Sequence, residues 1–133
     1  MRCEVSFAGS EFYISEKDKY PAYQAIRKQF VGAQWLQTCH SIEDMLLKFG
    51  VIVITDIDDN IVEVRNIDYE KLHTCILKTI FAAIAPYIKE GSFIHLYDSD
   101  GTHWRWVFKD AKCIYVKATL TWKETEETAH ECE

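Results

Sequence analysis

The chain has 133 residues, of which 48% are apolar and 14% aromatic, and its formal net charge at pH 7 is -6. A chain of this length can bury a core as one domain without disulfides or metals, and its composition excludes global disorder. No apolar run reaches the roughly 20 residues that a membrane span requires, and the N-terminus lacks the apolar core of a signal peptide. We therefore expect a cytoplasmic protein with no membrane association.

The negative charge is concentrated at the C-terminus. The last eleven residues, KETEETAHECE, contain five glutamates and one lysine, so most of the net charge lies there. We predict a single domain over residues 1–122 and a flexible acidic tail over 123–133. The acidic balance disfavours direct binding to nucleic acid, because the phosphate backbone is itself anionic.

The cysteines indicate neither a disulfide framework nor a zinc site. Their number is odd and no C-x-x-C occurs. They stand at positions 3, 39, 75, 113 and 132. We predict no metal site and no cofactor.

The first half of the chain predicts one hairpin and two short helices. RCEVSF and EFYIS are strand-like and are separated by Ala8-Gly9-Ser10, which favours a turn. Pro21 suits the first turn of a helix that Gly32 would end. Ser41 begins a capping box for the second helix, and Gly50 follows at the position of a left-handed cap.

A second hairpin and the longest helix are predicted next. VIVIT and IVEVR flank DIDDN, so residues 51–65 form a hairpin. Asp68 would cap a helix over 69–89, which Pro86 kinks or ends. Apolar residues recur every four positions along it, at Leu72, Ile76, Ile80, Ile84 and Ile88. Such a stripe is wide enough to lie across a sheet.

The last third of the domain predicts a three-stranded meander. SFIHLYD, THWRWVF and KCIYVKATLTW follow one another with only SDG and KDA between them. With the elements above, this predicts an α+β fold with a mainly antiparallel sheet and helices packed on one face.

The strand register assigns the side chains of the meander to two faces. A turn at Asp100-Gly101 would place Tyr97 opposite Trp104, and a turn at Asp110-Ala111 would place Cys113 opposite Phe108. The aliphatic face, which we assign to the core, would hold Ile94, Leu96, His103, Arg105, Val107, Ile114, Val116, Ala118, Leu120 and Trp122. The aromatic face would hold Phe93, His95, Tyr97, Trp104, Trp106, Phe108, Cys113, Tyr115, Lys117, Thr119 and Thr121.

Two interpretations of the aromatic face remain open. It can be a second core layer, covered by the N-terminal hairpin or the helices of residues 21–49, or an exposed surface for a ligand, a partner or a second copy. The exposed interpretation predicts a non-enzymatic binding or protein-interaction module. Its binding residues would be His95, Tyr97, Trp104, Trp106 and Tyr115.

Two other functions are kept as alternatives. The first is a small enzyme or ligand-binding protein with a pocket near residues 95–103, formed by His95, His103 and the Asp98-Ser99-Asp100 turn, although DSDG is also what a tight hairpin tip requires. The second is an acidic mimic of nucleic acid, which needs a continuous stripe of carboxylates. We nominate no catalytic residue. Arg105 is expected to pair with a carboxylate such as Asp56 or Glu63.

A resemblance adds biological context. The order of AIAPY at 83–87, GSFI at 91–94, DG at 100–101 and WRWVF at 104–108 resembles a loose class of small uncharacterised proteins of bacteriophages and bacterial mobile elements, over residues 43–122. The resemblance implies a bacterial or phage accessory protein, and it assigns no catalytic residue. Together with the aromatic face, it leads us to predict a phage or mobile-element accessory (anti-defence) protein.

Overall fold

A computed structural model describes residues 5–67 and 72–119. Within those ranges the chain forms six strands and three α-helices, joined by turns and two short 3₁₀ helices, Gln34–Thr38 and Ala85–Tyr87. The strands are β1 Val5–Glu11, β2 Val51–Thr55, β3 Ile61–Asn66, β4 Phe93–Asp98, β5 His103–Lys109 and β6 Lys112–Lys117. The helices are α1 Glu16–Gln29, α2 Ile42–Lys48 and α3 Thr74–Ile84. The predicted acidic tail lies outside the described residues.

Four strands form one antiparallel sheet in the order β1-β4-β5-β6, and β2 and β3 form a separate hairpin. The hairpin lies beside β1, where Ser10 Oγ donates to the carbonyl of Val64 at 3.1 Å and accepts from the Val64 amide at 3.2 Å. The predicted α+β class and the C-terminal meander are confirmed.

Local signals explain the elements that the sequence predicts well. The Ser41 side chain accepts a hydrogen bond from the Asp44 amide at the start of α2, and Gly50 takes a φ of 94° after its end. In the β2–β3 turn, the Asp56 carboxylate accepts the amides of Asp58 and Asn60. These bonds hold the second hairpin where it is predicted.

The predicted N-terminal hairpin is wrong. β1 runs straight through Ala8-Gly9-Ser10, with a register shift between Phe7 and Gly9, and pairs with β4. The EFYIS segment does not return along β1, because Phe12 and Ile14 turn into the core, where they are 3% and 0% exposed. Burial of these two side chains outweighs the local turn signal.

The helix bounds also differ from the prediction. α1 has 14 residues and α3 has 11, so α1 is the longer of the two, and Pro21 lies inside it. α3 begins at Thr74 rather than at residue 69, and the predicted cap Asp68 lies outside the described residues. The expected effect of Pro86 is confirmed, because the α-helical turns end at Ile84.

The core includes buried residues of all three helices, of the β2–β3 hairpin and of one face of the four-stranded sheet, which we call the inner face and against which α3 packs. The ring of Phe81 on α3 contacts those of Trp106 and Phe108, with centroids 5.6 and 6.0 Å apart. Phe12 packs edge-on against both Phe81 and Phe108. The opposite face of the sheet therefore points away from α3.

Candidate functional site

The turn between β4 and β5 sets which side chains share a face. Asp98 pairs with Thr102, and the Asp98 carboxylate accepts the amides of Asp100 and Thr102 at 3.0 and 2.9 Å. The loop thus contains three residues, with Gly101 at a φ of 82°. Because the length of the loop is odd, Tyr97 pairs with His103 instead of Trp104.

Because of this one-residue difference, each β5 side chain lies on the face of the sheet opposite to the predicted one, relative to the side chains of β4. The predicted β5–β6 pairing is confirmed, with Phe108 opposite Cys113 across a two-residue turn at Asp110 and Ala111, both at positive φ. The inner face therefore holds Ile94, Leu96, Trp104, Trp106, Phe108, Cys113 and Tyr115. The outer face, as we call the other side, holds Phe93, His95, Tyr97, His103, Arg105, Val107, Lys109, Lys112, Ile114 and Val116.

The five residues predicted to bind together do not share a surface. His95 and Tyr97 are on the outer face, whereas Trp104, Trp106 and Tyr115 are on the inner face. Trp106 is 3% exposed and belongs to the core. The prediction of a single aromatic face is wrong, because the odd loop turns the β5 rings inward. α3 covers these rings through Phe81, and Phe12 of the N-terminal segment also packs on Phe108.

The outer face instead gathers an aromatic and imidazole row. The rings of Tyr97 and His103 stack with centroids 5.7 Å apart and 24° between their planes. His95 Nε2 and His103 Nδ1 are 2.9 Å apart and share a hydrogen bond. One of these nitrogens must donate and the other accept, so at least one imidazole is neutral while the bond exists.

Arg105 completes this row. Its guanidinium carbon lies 4.2 Å from the centre of the Phe93 ring, a cation–π contact. The expected ion pair is wrong: Glu63 binds Arg65 and the Asp56 carboxylate binds Asn60, while no carboxylate of the described chain lies within 4.0 Å of Arg105. The guanidinium edge can therefore receive a carboxylate from elsewhere.

Positive charge on this surface affects the imidazole of His95. Partial burial lowers the pKa of His95 below its ordinary 6.5, and the charges of Arg105 and His103 lower it further. Lys109 and Lys112 pair across β5 and β6 at one end of the outer face, and Glu11 lies opposite Phe93 on β1. The outer face is basic although the chain is acidic, so it is not a carboxylate stripe of the kind that a nucleic-acid mimic needs.

The outer face is also open. None of its side chains is buried, and Tyr97, Ile114 and Val116 are 38%, 37% and 43% exposed. Val107 lies between Phe93 and Ile114 in the ladder and is half-buried. Apolar and aromatic groups thus surround the cations on this face.

Members of the predicted pocket around residues 95–103 lie on both sides of the sheet. The imidazoles of His95 and His103 lie on the outer face, whereas Asp98 lines the other side of the sheet and its carboxylate holds the turn. The carboxylate of Asp98 therefore does not converge with these imidazoles.

A shallow cleft of about 340 Å³ does lie on the inner side, between α3 and the meander. It is lined by Trp104, Trp106 and Tyr115 together with Cys75 and Lys78. Burial raises the pKa of the nearby Cys113 thiol to about 11, so this thiol is protonated at neutral pH.

Sequence reasoning missed a charged cluster at α1. Lys19 Nζ binds the carboxylates of Glu43 and Asp59, and all three residues line a cavity of about 310 Å³. Burial alone would lower the pKa of Lys19, but the hydrogen bonds and charges of both carboxylates raise it overall. Three separate segments meet here, so no local spacing could reveal the cluster. Two carboxylates already neutralise Lys19, so we interpret the cluster as an ion-pair link that stabilises the contact between these segments.

Among residues 5–67 and 72–119, no group of three or more histidine, cysteine or acidic side chains is placed to hold a metal ion. In the same ranges, no helix has the length and apolarity needed to cross a bilayer.

No protein-family model, curated protein or solved structure gives a match to this chain.

Proposed function

We propose that the protein is a non-enzymatic binding module whose outer face docks an acidic segment of a partner protein. The observation that carries the proposal is the preorganised row in which Tyr97 stacks on His103, His103 bonds His95, and Arg105 lies on Phe93. Side chains held by their neighbours lose little conformational freedom when a partner arrives, so more of the contact energy appears as affinity.

The mixture of groups is typical of a protein interface. Arginine and aromatic residues are enriched at interface centres, and Val107, Ile114 and Val116 add aliphatic surface around them. A single-stranded nucleic acid would require bare rings for base stacking and a longer track of cations. Here the Phe93 ring is occupied by Arg105, and the Tyr97 ring by His103.

The charge pattern indicates an acidic partner. Arg105, Lys109 and Lys112 place three permanent cations on the outer face, where the paired strands of the described ranges contribute one carboxylate, that of Glu11 at the β1 edge. A guanidinium can hold a carboxylate through two parallel hydrogen bonds, which gives orientation as well as affinity. Complementary potentials also accelerate the encounter.

The resemblance to phage and mobile-element proteins gives this proposal its biological setting. In that setting the partner is a protein of the bacterial host, and the module acts as an accessory or anti-defence factor in the cytoplasm. The acidic segment would belong to that host protein.

The test uses a displayed library of random peptides selected on the immobilised protein. Enriched peptides should carry Asp or Glu beside apolar residues, and their affinity should fall about tenfold or more in Arg105→Ala, since loss of a charged hydrogen-bond partner costs about 1.5–3 kcal/mol. The matched control is Arg65→Ala, an arginine on β3 whose side chain is 62% exposed.

Two outcomes would contradict the proposal. Peptides that bind Arg105→Ala as tightly as the unaltered protein would place the docking site elsewhere. Binding of an oligothymidylate that is lost in Arg105→Ala but not in Arg65→Ala, without any acidic peptide being selected, would assign the outer face to single-stranded nucleic acid instead.

A further inference from the structure

β6 forms one edge of the four-stranded sheet. The Ala118 amide donates to the carbonyl of His103, so this pair lies in hydrogen-bonded register between β6 and β5. Hydrogen-bonded pairs recur every two residues in an antiparallel ladder, and the backbone groups of the residues between them point the other way. The amides and carbonyls of Cys113, Tyr115 and Lys117 therefore point away from the sheet.

The two edges of the sheet differ. At the β1 edge, the Phe7 amide donates to Asn66 Oδ1 at 2.9 Å and Ser10 binds Val64, so β3 protects that edge. At the β6 edge, no strand of the described ranges is paired. An unpaired edge strand is a template for another strand.

The side chains of β6 are unusually apolar for an exposed edge. Ile114, Tyr115 and Val116 are consecutive and are 37%, 54% and 43% exposed, so both faces of the strand offer apolar surface. The lysines of β6, Lys112 and Lys117, are its first and last residues. Natural edge strands usually avoid such a run unless a partner covers it.

One antiparallel register makes this strand complementary to itself. If Tyr115 of one copy lies opposite Tyr115 of the other, Ile114 lies opposite Val116 twice on the outer face, and the outward backbone groups of the two strands bond each other. In this register Lys117 lies opposite Cys113, so no lysine lies directly opposite a lysine. Like charges directly opposite would destabilise the pairing.

We propose that β6 pairs antiparallel with β6 of a second copy about a two-fold axis at Tyr115. The two four-stranded sheets then form one eight-stranded sheet, and the outer faces of both copies become a single surface. This inference goes beyond the proposed binding function, because it depends on the strand edge and not on Arg105 or the imidazole row.

The test exploits the self-contact of Tyr115. Tyr115→Lys and Tyr115→Glu each place two like charges on the axis, whereas an equimolar mixture of the two variants places opposite charges there. Sedimentation of the unaltered protein over a concentration series should show a dimer. Each variant alone should weaken that dimer about tenfold, and the mixture should restore it as a heterodimer. The controls are Tyr20→Lys and Tyr20→Glu on α1, where the side chain is 67% exposed.

Circular dichroism of each variant confirms that the chain still folds. A monomeric unaltered protein at every concentration, a dimer indifferent to both charges, or a mixture that stays monomeric would each overturn the proposal. Acidic-peptide binding should persist in the Tyr115 variants, because this side chain lies on the inner face, so failure of the dimer and failure of the binding module are separable.

Discussion

Tyr97 lies directly opposite His103 in the β4–β5 ladder, and the two rings stack 5.7 Å apart on the outer face of the sheet. This pairing places Trp104 and Trp106 on the opposite side, against α3. One register thus decides both which rings stabilise the core and which groups are open to a partner.

Replacement of Trp106 tests the core side of this register. Trp106→Ala should lower the free energy of unfolding by about 3–5 kcal/mol, because it removes a large side chain that is 3% exposed and packs on Phe81. Tyr97→Ala, on the open face, should cost about 1 kcal/mol or less. Urea denaturation followed by circular dichroism measures both, and equal losses would contradict the assignment of faces.

The pKa of His95 predicts a pH dependence of stability. Because folding lowers this pKa below 6.5, the unfolded chain binds the proton first as the pH falls. The contribution of His95 to the free energy of unfolding is fully present above pH 6.5. It decreases as the pH falls from 6.5 toward the lowered pKa of the folded state, and it does not change further below that pKa. Urea midpoints between neutral and acidic pH should show that decline, and His95→Gln should remove this part of it.

The cause of the shift can be tested separately. Nuclear magnetic resonance titration of the His95 ring in Arg105→Ala should give a pKa between that of the unaltered protein and the ordinary value, since burial remains the largest cause. An unchanged titration would show that the guanidinium does not act on this imidazole.

Cysteine reactivity provides a test of the inner face. Cys113 is half-buried with its pKa raised to about 11, and Cys39 is buried, whereas Cys75 on α3 is exposed. Alkylation at mildly alkaline pH should modify Cys75 well before Cys39 and Cys113, because the thiolate is the reacting form and needs access. Mass spectrometry of the digested protein gives the order, and early labelling of Cys113 would contradict the packing of β6.

The Lys19 cluster should make a modest contribution to stability. Lys19→Met removes a cation that joins α1 to Glu43 and Asp59, and we expect a loss of about 1 kcal/mol, because both carboxylates stay in contact with water. A loss that vanishes in high salt would fit this ion-pair origin. A loss that salt does not change would indicate a packing role instead.

Local chemistry explains which parts of the fold are predictable. The Ser41 cap, the β2–β3 turn and the two-residue turn at Asp110 and Ala111 are encoded within a few residues, and each is observed where predicted. The predicted β4–β5 register was wrong because the Asp98 carboxylate stabilises a three-residue loop. The DSDG sequence alone does not distinguish this loop from a shorter one. The predicted pairing of β1 with residues 11–15 was wrong because β1 pairs with β4, which is distant in the sequence, and because Phe12 and Ile14 are buried in the core.

The candidate site was predictable only in part. The alternation of β4 alone correctly places His95 and Tyr97 on one face, opposite to that of Ile94 and Leu96, but it leaves open whether that face is exposed. To place His103 and Arg105 on the same face, one must know whether the β4–β5 loop has an odd or an even number of residues. One additional residue in that loop exchanges the faces of every β5 side chain. A carboxylate that can accept two turn amides, as Asp98 does, is the signal that could have suggested the longer loop.

The most direct test of the outer face as the docking surface is a chemical-shift map of the labelled protein with a selected acidic peptide. We predict that the largest changes occur at the Val107, Ile114 and Val116 methyl groups and at the His95 and His103 rings, with little change at Leu77 and Ile80 in the core. Changes concentrated instead around Leu47 and Ile52, which line the groove beside β3, would contradict the account.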